Sequence, residues 1–97
     1  MSHSVVWSPE AEISYAHILD FIFNTQGTKV LNNFMDRTEE LISYVSQNPL
    51  QYIYSKKHNA YRAVVTKQVS LYYRIHSTQV ELLVFWDTRQ DPEKLRV

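Results

Sequence analysis

Cysteine is absent from the 97-residue chain, so neither a disulfide framework nor a thiolate metal site can hold it together. That absence fits a reducing compartment. Glycine occurs once and proline three times, which excludes collagen-like and linker sequence and leaves no Gly-rich phosphate loop. No apolar run approaches the roughly 18–20 residues that span a bilayer. The opening residues, Met1 to Trp7, lack the basic-then-apolar pattern of a signal peptide. The expectation is a cytoplasmic protein with no membrane partner. At 44% apolar and 13% aromatic the chain is too rich in core-forming side chains to be disordered. Its length allows one domain, residues 1–97. A domain this small buries one core and gains stability from a partner that covers apolar surface.

Acid is missing from the middle of the chain. Residues 1–40 carry six acids and two bases, net −4; residues 41–80 carry five bases (Lys56, Lys57, Arg62, Lys67, Arg74) and no acid, net +5; residues 81–97 carry four acids and three bases, net −1. Zero net charge therefore conceals a forty-residue stretch of one sign. Such a stretch makes a local field suited to an anionic partner. The other reading is a chance cluster of ordinary surface bases.

Val5-Val6-Trp7 is a short β-type run ended by Ser8-Pro9, an N-cap residue followed by a residue suited to the first helical turn. Ala11, Tyr15, Ile18, Leu19 and Ile22 then form one apolar stripe to about Phe23. Gly27, the only glycine, stands where a left-handed cap would end that helix. Leu31, Phe34, Met35, Thr38, Leu41, Ile42 and Val45 give a second helical stripe, stopped by Asn48-Pro49. The short link predicts an antiparallel helical hairpin. Residues 50–59 are polar, Tyr-rich and aperiodic, and read as an extended loop. Strands are predicted at Tyr61 to Thr66, Val69 to Ile75 and Val80 to Trp86, the last being most apolar and hence central, followed by a polar tail. The expected architecture is α+β: a strand, two helices, then a three-stranded antiparallel meander with the helices on one face. The first strand joins the sheet, since alone its backbone groups would stay unpaired.

The usual catalytic patterns are missing. The four histidines never recur at i, i+4, Glu39-Glu40 point to different helix faces, and no sequence singles out a Ser-His-Asp set. No cofactor or metal site is expected. What stands out is an arginine set: Arg62 and Arg74 within strands and Arg89 just after the last. A guanidinium in a strand is costly to desolvate unless it meets an anion or stays wet, and its planar fork suits phosphate or carboxylate. Tyr52, Tyr54, Tyr61 and Tyr72 lie among these bases, a mixture that can stack nucleobases. The alternative is structural: Arg89 pairs with Asp87 or Asp91 to hold the tail, and the tyrosines fill a half-buried sheet.

The order of these elements resembles the RelE/ParE superfamily of toxins from bacterial type II toxin–antitoxin modules. Val5-Val6-Trp7-Ser8-Pro9-Glu10-Ala11 is similar to the opening strand and helix, and Leu71-Tyr72-Tyr73-Arg74-Ile75 to the aromatic strand. Val84 to Pro92, with Arg89-Gln90-Asp91-Pro92, is similar to the closing strand and turn of ParE-like and plasmid-stabilisation members. The resemblance implies a growth-inhibiting toxin neutralised by a cognate antitoxin, with operator DNA bound only through that antitoxin. It also implies one of two targets: DNA gyrase for ParE-like members, or the ribosome and its mRNA for RelE-like endoribonucleases. Arg62 and Arg89 match basic positions of the nuclease set, but Val69 stands where another arginine is expected and residues 93–97 hold neither Tyr nor His. The gyrase-type poison is accordingly favoured, the alternatives being the nuclease and a degenerate, non-toxic binding module; whether the chain is an enzyme is left open. Arg62, Tyr72, Arg74, Trp86 and Arg89 are the expected contacts to target or antitoxin, with Arg62 and Arg89 catalytic in the nuclease case.

Overall fold

Ser8 stops a strand and starts a helix. Its hydroxyl accepts the Ala11 N–H at 3.0 Å, Pro9 takes the first helical position, and Glu10 and Glu12 lie in the first turn, where the helix dipole favours acid. In the computed structural model, which describes residues 2–97, this helix (α1, Pro9–Gln26) follows strand β1, Ser4–Trp7. Helix α2, Thr28–Gln47, follows after Gly27 alone. Gly27 has φ +87° and ψ −178°, so it is not the left-handed cap expected from sequence. It occupies an extended, positive-φ region that is essentially glycine's own, and a Cβ there would meet nothing within 4 Å. The requirement is conformational rather than steric.

Four strands follow: β2 (Ile53–Ser55), β3 (Ala60–Thr66), β4 (Val69–His76) and β5 (Gln79–Asp87). With β1 they form one five-stranded sheet in the order β1-β5-β4-β3-β2. The β1–β5 pair is parallel and the others are antiparallel, so the α+β sheet is mixed. Two expectations are corrected. Residues 50–59 are not all loop: a 3-10 turn (Pro49–Gln51) leads into β2, which pairs with β3 at the sheet edge. Ile53 and Tyr54 are exposed there, and a strand without a buried face carries no hydrophobic period to read. The central strand is β4, not β5. Both β4 and β5 are covered on both faces over much of their length.

Both helices pack on the same face, α1 over β5 and α2 over β3. Ala11, Ile22, Phe34 and Val45 meet Val65, Leu71, Tyr73, Leu82 and Phe85 in the main core. Phe85 sits in an aromatic group, with ring centroids 5.4 Å from Trp7 and 4.8 Å from Tyr15. A bulge at Leu83 makes this possible. Tyr72 pairs with Val84 but Tyr73 pairs with Leu82, so the extra residue resets the alternation and turns Phe85 toward the helices and Trp86 away. β1 ends opposite Leu82, and α1 completes the exposed edge of β5 beyond that point. Ser8 donates its hydroxyl to the Leu83 carbonyl at 2.9 Å, and the Phe85 N–H donates to the Ser14 hydroxyl at 2.9 Å.

A second, smaller core lies on the face away from the helices. Ala60, Tyr72, Leu83 and Val84 are covered there by Leu95, with Trp86 and Val97 against its rim. The C-terminal tail is thus more than a polar end: it folds back through a 3-10 turn (Pro92–Lys94) and plugs the sheet with Leu95, 5% exposed. Among the described residues no helix is long and apolar enough to cross a membrane.

Candidate functional site

The face away from the helices collects most of the residues singled out in the sequence. Register places Arg62, Tyr72 and Val84 in one row across β3, β4 and β5, and Val64, Ser70 and Trp86 in the next. Two residues from Tyr72 along β4, Arg74 points the same way and lies opposite Glu81. Arg62, Tyr72, Arg74 and Trp86 therefore share one surface.

Their states differ. Arg74 is tied to the β2–β3 turn, its Nε donating to the Asn59 carbonyl at 2.8 Å and its Nη2 to the His58 carbonyl at 3.1 Å. Those acceptors are neutral, so they fix the guanidinium without cancelling its charge. Arg62 is half-buried between Ile53 and Tyr72 in register. Among the described residues it has no side-chain hydrogen bond or ion pair. The turn adds Lys57, which bridges to Glu93 of the tail at 3.0 Å, and His58, whose ring meets the Tyr72 ring edge-on at 5.6 Å. Lys57, then Arg96 and His58, hold the Glu93 carboxyl below its ordinary range. The surface therefore presents one free guanidinium beside Tyr72 in a positive field. That arrangement suits a planar anion, carboxylate or phosphate, with an apolar group stacked alongside.

Arg89 is elsewhere. Its guanidinium forms a two-pronged pair with Asp87 (Nη2 to Oδ2 2.8 Å, Nε to Oδ1 3.0 Å), and its backbone N–H donates to the same carboxylate at 2.9 Å. It lies 5.7 Å from the centre of the Phe21 ring on α1, on the helix side of the sheet. The structural alternative raised for Arg89 is thus the arrangement found, with Asp87 as the partner. Arg89 holds the Asp87 carboxyl below its ordinary range, chiefly through the side-chain hydrogen bond. Arg62 and Arg89 thus stand on opposite sides of the sheet. The tail position where a Tyr or His was sought holds the buried Leu95 and its neighbours.

Sequence reading missed the tail's part in this surface, and with it Lys57, His58 and Glu93. The adjacent Lys56-Lys57-His58 in the acid-free segment was the available signal. It also missed the helix-side surface around Phe21, although Phe21 lies off the apolar stripe of its helix. Among the described residues there is no cluster of three or more His, Asp or Glu that could hold a metal.

No family model matches the chain, and no curated protein matches it in sequence. Solved structures do match it in shape. A chain of the chromosomal ParDE TA system from P. aeruginosa superposes with a TM-score of 0.76 at 15% identity, covering 89% of this chain and 96% of that one. A YoeB/ParE toxin from Agrobacterium tumefaciens gives 0.59 at 12% identity, covering 87% and 97%. A copper-bound mutant toxin from Helicobacter pylori gives 0.57 at 17% identity, covering 90% and 96%. The fold is the ParE/RelE-type toxin fold, over nearly the full length of each chain. Both ParE and YoeB/ParE names stand among the neighbours, so the likeness favours neither branch.

Proposed function

We propose that this chain is the toxin of a cytoplasmic toxin–antitoxin pair, held inactive by a cognate antitoxin. The observation that carries the reading is the likeness of fold to the ParDE chain, which covers 89% of this chain and 96% of that one. We further propose that it acts by binding an essential protein, as a gyrase-type poison does, and that Arg62 and Tyr72 anchor that contact. The separation of Arg62 from Arg89 supports binding over RNA cleavage. In-line attack of a 2′-hydroxyl needs a base, an acid and cationic stabilisation gathered at one phosphate, and this face offers one free guanidinium. An unpaired Arg beside a tyrosine, as Arg62 is beside Tyr72, is, by contrast, a common anchor in protein recognition.

Tightly repressed expression, with and without the gene beside it, tests the pair. Growth arrest relieved by the neighbour is expected; no arrest leaves the fold without the toxicity. RNA 5′-end mapping and plasmid topology after induction test the target. Intact transcripts with linearised plasmid are expected, and discrete in-frame cuts would establish the endoribonuclease instead.

A further inference from the structure

Two buried side-chain polar atoms lack a hydrogen-bond partner among the described residues, Nδ1 of His3 and Oγ of Ser70. His3 stands near the start of the chain and is itself partly exposed. Ser70 lies in the middle of the sheet, on the central strand β4, and is 1% exposed. Buried polar groups are nearly always bonded in folded proteins, because an unmade hydrogen bond costs the full desolvation of the group. Alanine would fill the position without that penalty, as Ala60 and Ala63 do on β3. Ser70 is on the face away from the helices, between Val64 and Trp86 in register and two residues from Tyr72. Arg62 is opposite Tyr72 and so diagonal to Ser70, a spacing that a long side chain spans. Val64 is short and 51% exposed, which leaves the rings of Trp86 and Tyr72 to roof the hydroxyl. Tyr72 is pinned in the tail cluster under Leu95, whereas Trp86 is half-buried at its rim. Trp86 is the roof that is free to turn aside.

We propose that the Ser70 hydroxyl is a binding group held in reserve, which donates to an oxygen of the group that Arg62 binds when the protein target engages this face. The inference rests on the reading of this face as the contact for that target, and it adds a specificity-determining residue. Arg62 alone accepts any anion that reaches it. A hydroxyl at a fixed place beside the guanidinium selects an acceptor positioned to meet both donors. A partner lacking that acceptor leaves the hydroxyl orphaned and is discriminated against. The unmade bond of the free protein is made on binding, so the position is unfavourable for folding and favourable for recognition.

The test uses the full chain and three variants, read by urea unfolding and by growth arrest after tightly repressed expression. Ser70→Ala is expected to raise the urea midpoint by about 0.5 M, because the orphaned hydroxyl is gone, and to weaken arrest about tenfold in colony counts. Ser70→Thr and Ser70→Val add the same branched bulk, so any overpacking is shared and the hydroxyl alone separates them. The Thr variant is expected to unfold at lower urea than the Val variant and yet to arrest growth about tenfold more strongly. A merely structural role would move both readings in the same direction. A lower midpoint for Ser70→Ala than for wild type would mean that the hydroxyl is bonded in the free protein, and would overturn the proposal. Equal arrest by wild type and Ser70→Ala, or by the Thr and Val variants, would overturn it as well while leaving the toxin reading in place. Wild type that causes no arrest would instead remove the toxin reading, and this inference with it.

Discussion

The two faces of this sheet are closed by different means. The helix side is sealed by α1, α2 and an aromatic group, and two hydroxyls buried there find partners close by. The Tyr73 hydroxyl donates to the Pro49 carbonyl at 2.5 Å, and the Thr38 hydroxyl to the Phe34 carbonyl at 2.9 Å. The other side is closed by a short tail, a single buried leucine and an exposed Lys57–Glu93 pair, and it leaves Arg62 unmatched. The larger core thus lies on the helix side, and the unmatched Arg62 on the other. Substitutions should sort by the face they touch, even where fractional burial is the same.

Phe85 and Leu95 test that division most severely, being 2% and 5% exposed. Phe85→Ala opens a cavity against Trp7 and Tyr15, held by a strand paired with β4 on one side and tied to Ser14 of α1 on the other, and should cost about 3–5 kcal/mol. In a domain whose total stability is about 5–15 kcal/mol, that is a large share. Leu95→Ala should cost only about 1–2 kcal/mol, because a terminal segment can lift away rather than maintain a void. Urea unfolding of both variants makes the measurement. Equal losses would mean that the tail is as much a part of the fold as the strand.

Tyr73→Phe removes one hydroxyl and one buried hydrogen bond, and should cost about 1–2 kcal/mol. It also carries a pH signature. Burial, and after it Tyr52 and Tyr61, pushes the Tyr73 phenol well above its ordinary value of 10.0. A group whose folded pKa is raised contributes stability that is full below its unfolded pKa and lost as pH rises through the folded one. Wild-type stability should therefore fall from about pH 10 upward, and less steeply in Tyr73→Phe. Tyr15, also raised by burial, leaves a residual slope of the same sign. Identical alkaline slopes in both proteins would remove Tyr73 from the account.

How far the sequence announced this arrangement depends on whether local chemistry or distant contact decides each element. Ser8-Pro9, the helical stripes and Asn48-Pro49 are local signals, and the helices lie where those signals put them. The alternation of β4 sends Tyr73 inward and Tyr72 outward, as a half-buried strand must. β2 was missed because an exposed edge strand has no period. The bulge at Leu83 is set by Ser8 and Ser14, about seventy residues away, and simple alternation along β5 would turn Trp86 toward the helices. Of the candidate surface, Arg62, Tyr72, Arg74 and Trp86 were singled out by residue type. That they share a face and Arg89 does not depends on register and on the bulge. The tail's return over Ala60 is a contact between chain segments that carries no pattern of its own.

Arg89→Ala sharpens the comparison from the helix side at small cost. The Asp87–Arg89 pair is exposed enough for solvent to screen it, so its weight in folding is slight. Its effect on Asp87 is local and measurable. A carboxyl held low by its partner contributes stability above the ordinary carboxylate range, and that contribution is lost as pH falls through the folded pKa. In Arg89→Ala the Asp87 carboxyl should titrate higher, read by its carbon chemical shift, with the Arg62 face unperturbed. An unmoved titration would mean that the pair does not form in solution.

Arg62→Gln is the smallest change in folding and the most informative about function. Arg62 makes no hydrogen bond or ion pair among the described residues, and glutamine retains the aliphatic stem that lies against Ile53 and Tyr72. Stability should therefore stay within about 0.5 kcal/mol of wild type. Arg74→Gln is the matched control on the same face: losing its bonds to the His58 and Asn59 carbonyls should cost about 1 kcal/mol and loosen the β2–β3 turn. If the face is for recognition, growth arrest should fall sharply in Arg62→Gln while the protein unfolds at the wild-type urea concentration. If Arg62→Gln unfolds as early as Arg74→Gln, the guanidinium is structural and the division between the faces fails. A fully stable Arg62→Gln that still arrests growth would move the contact off this face.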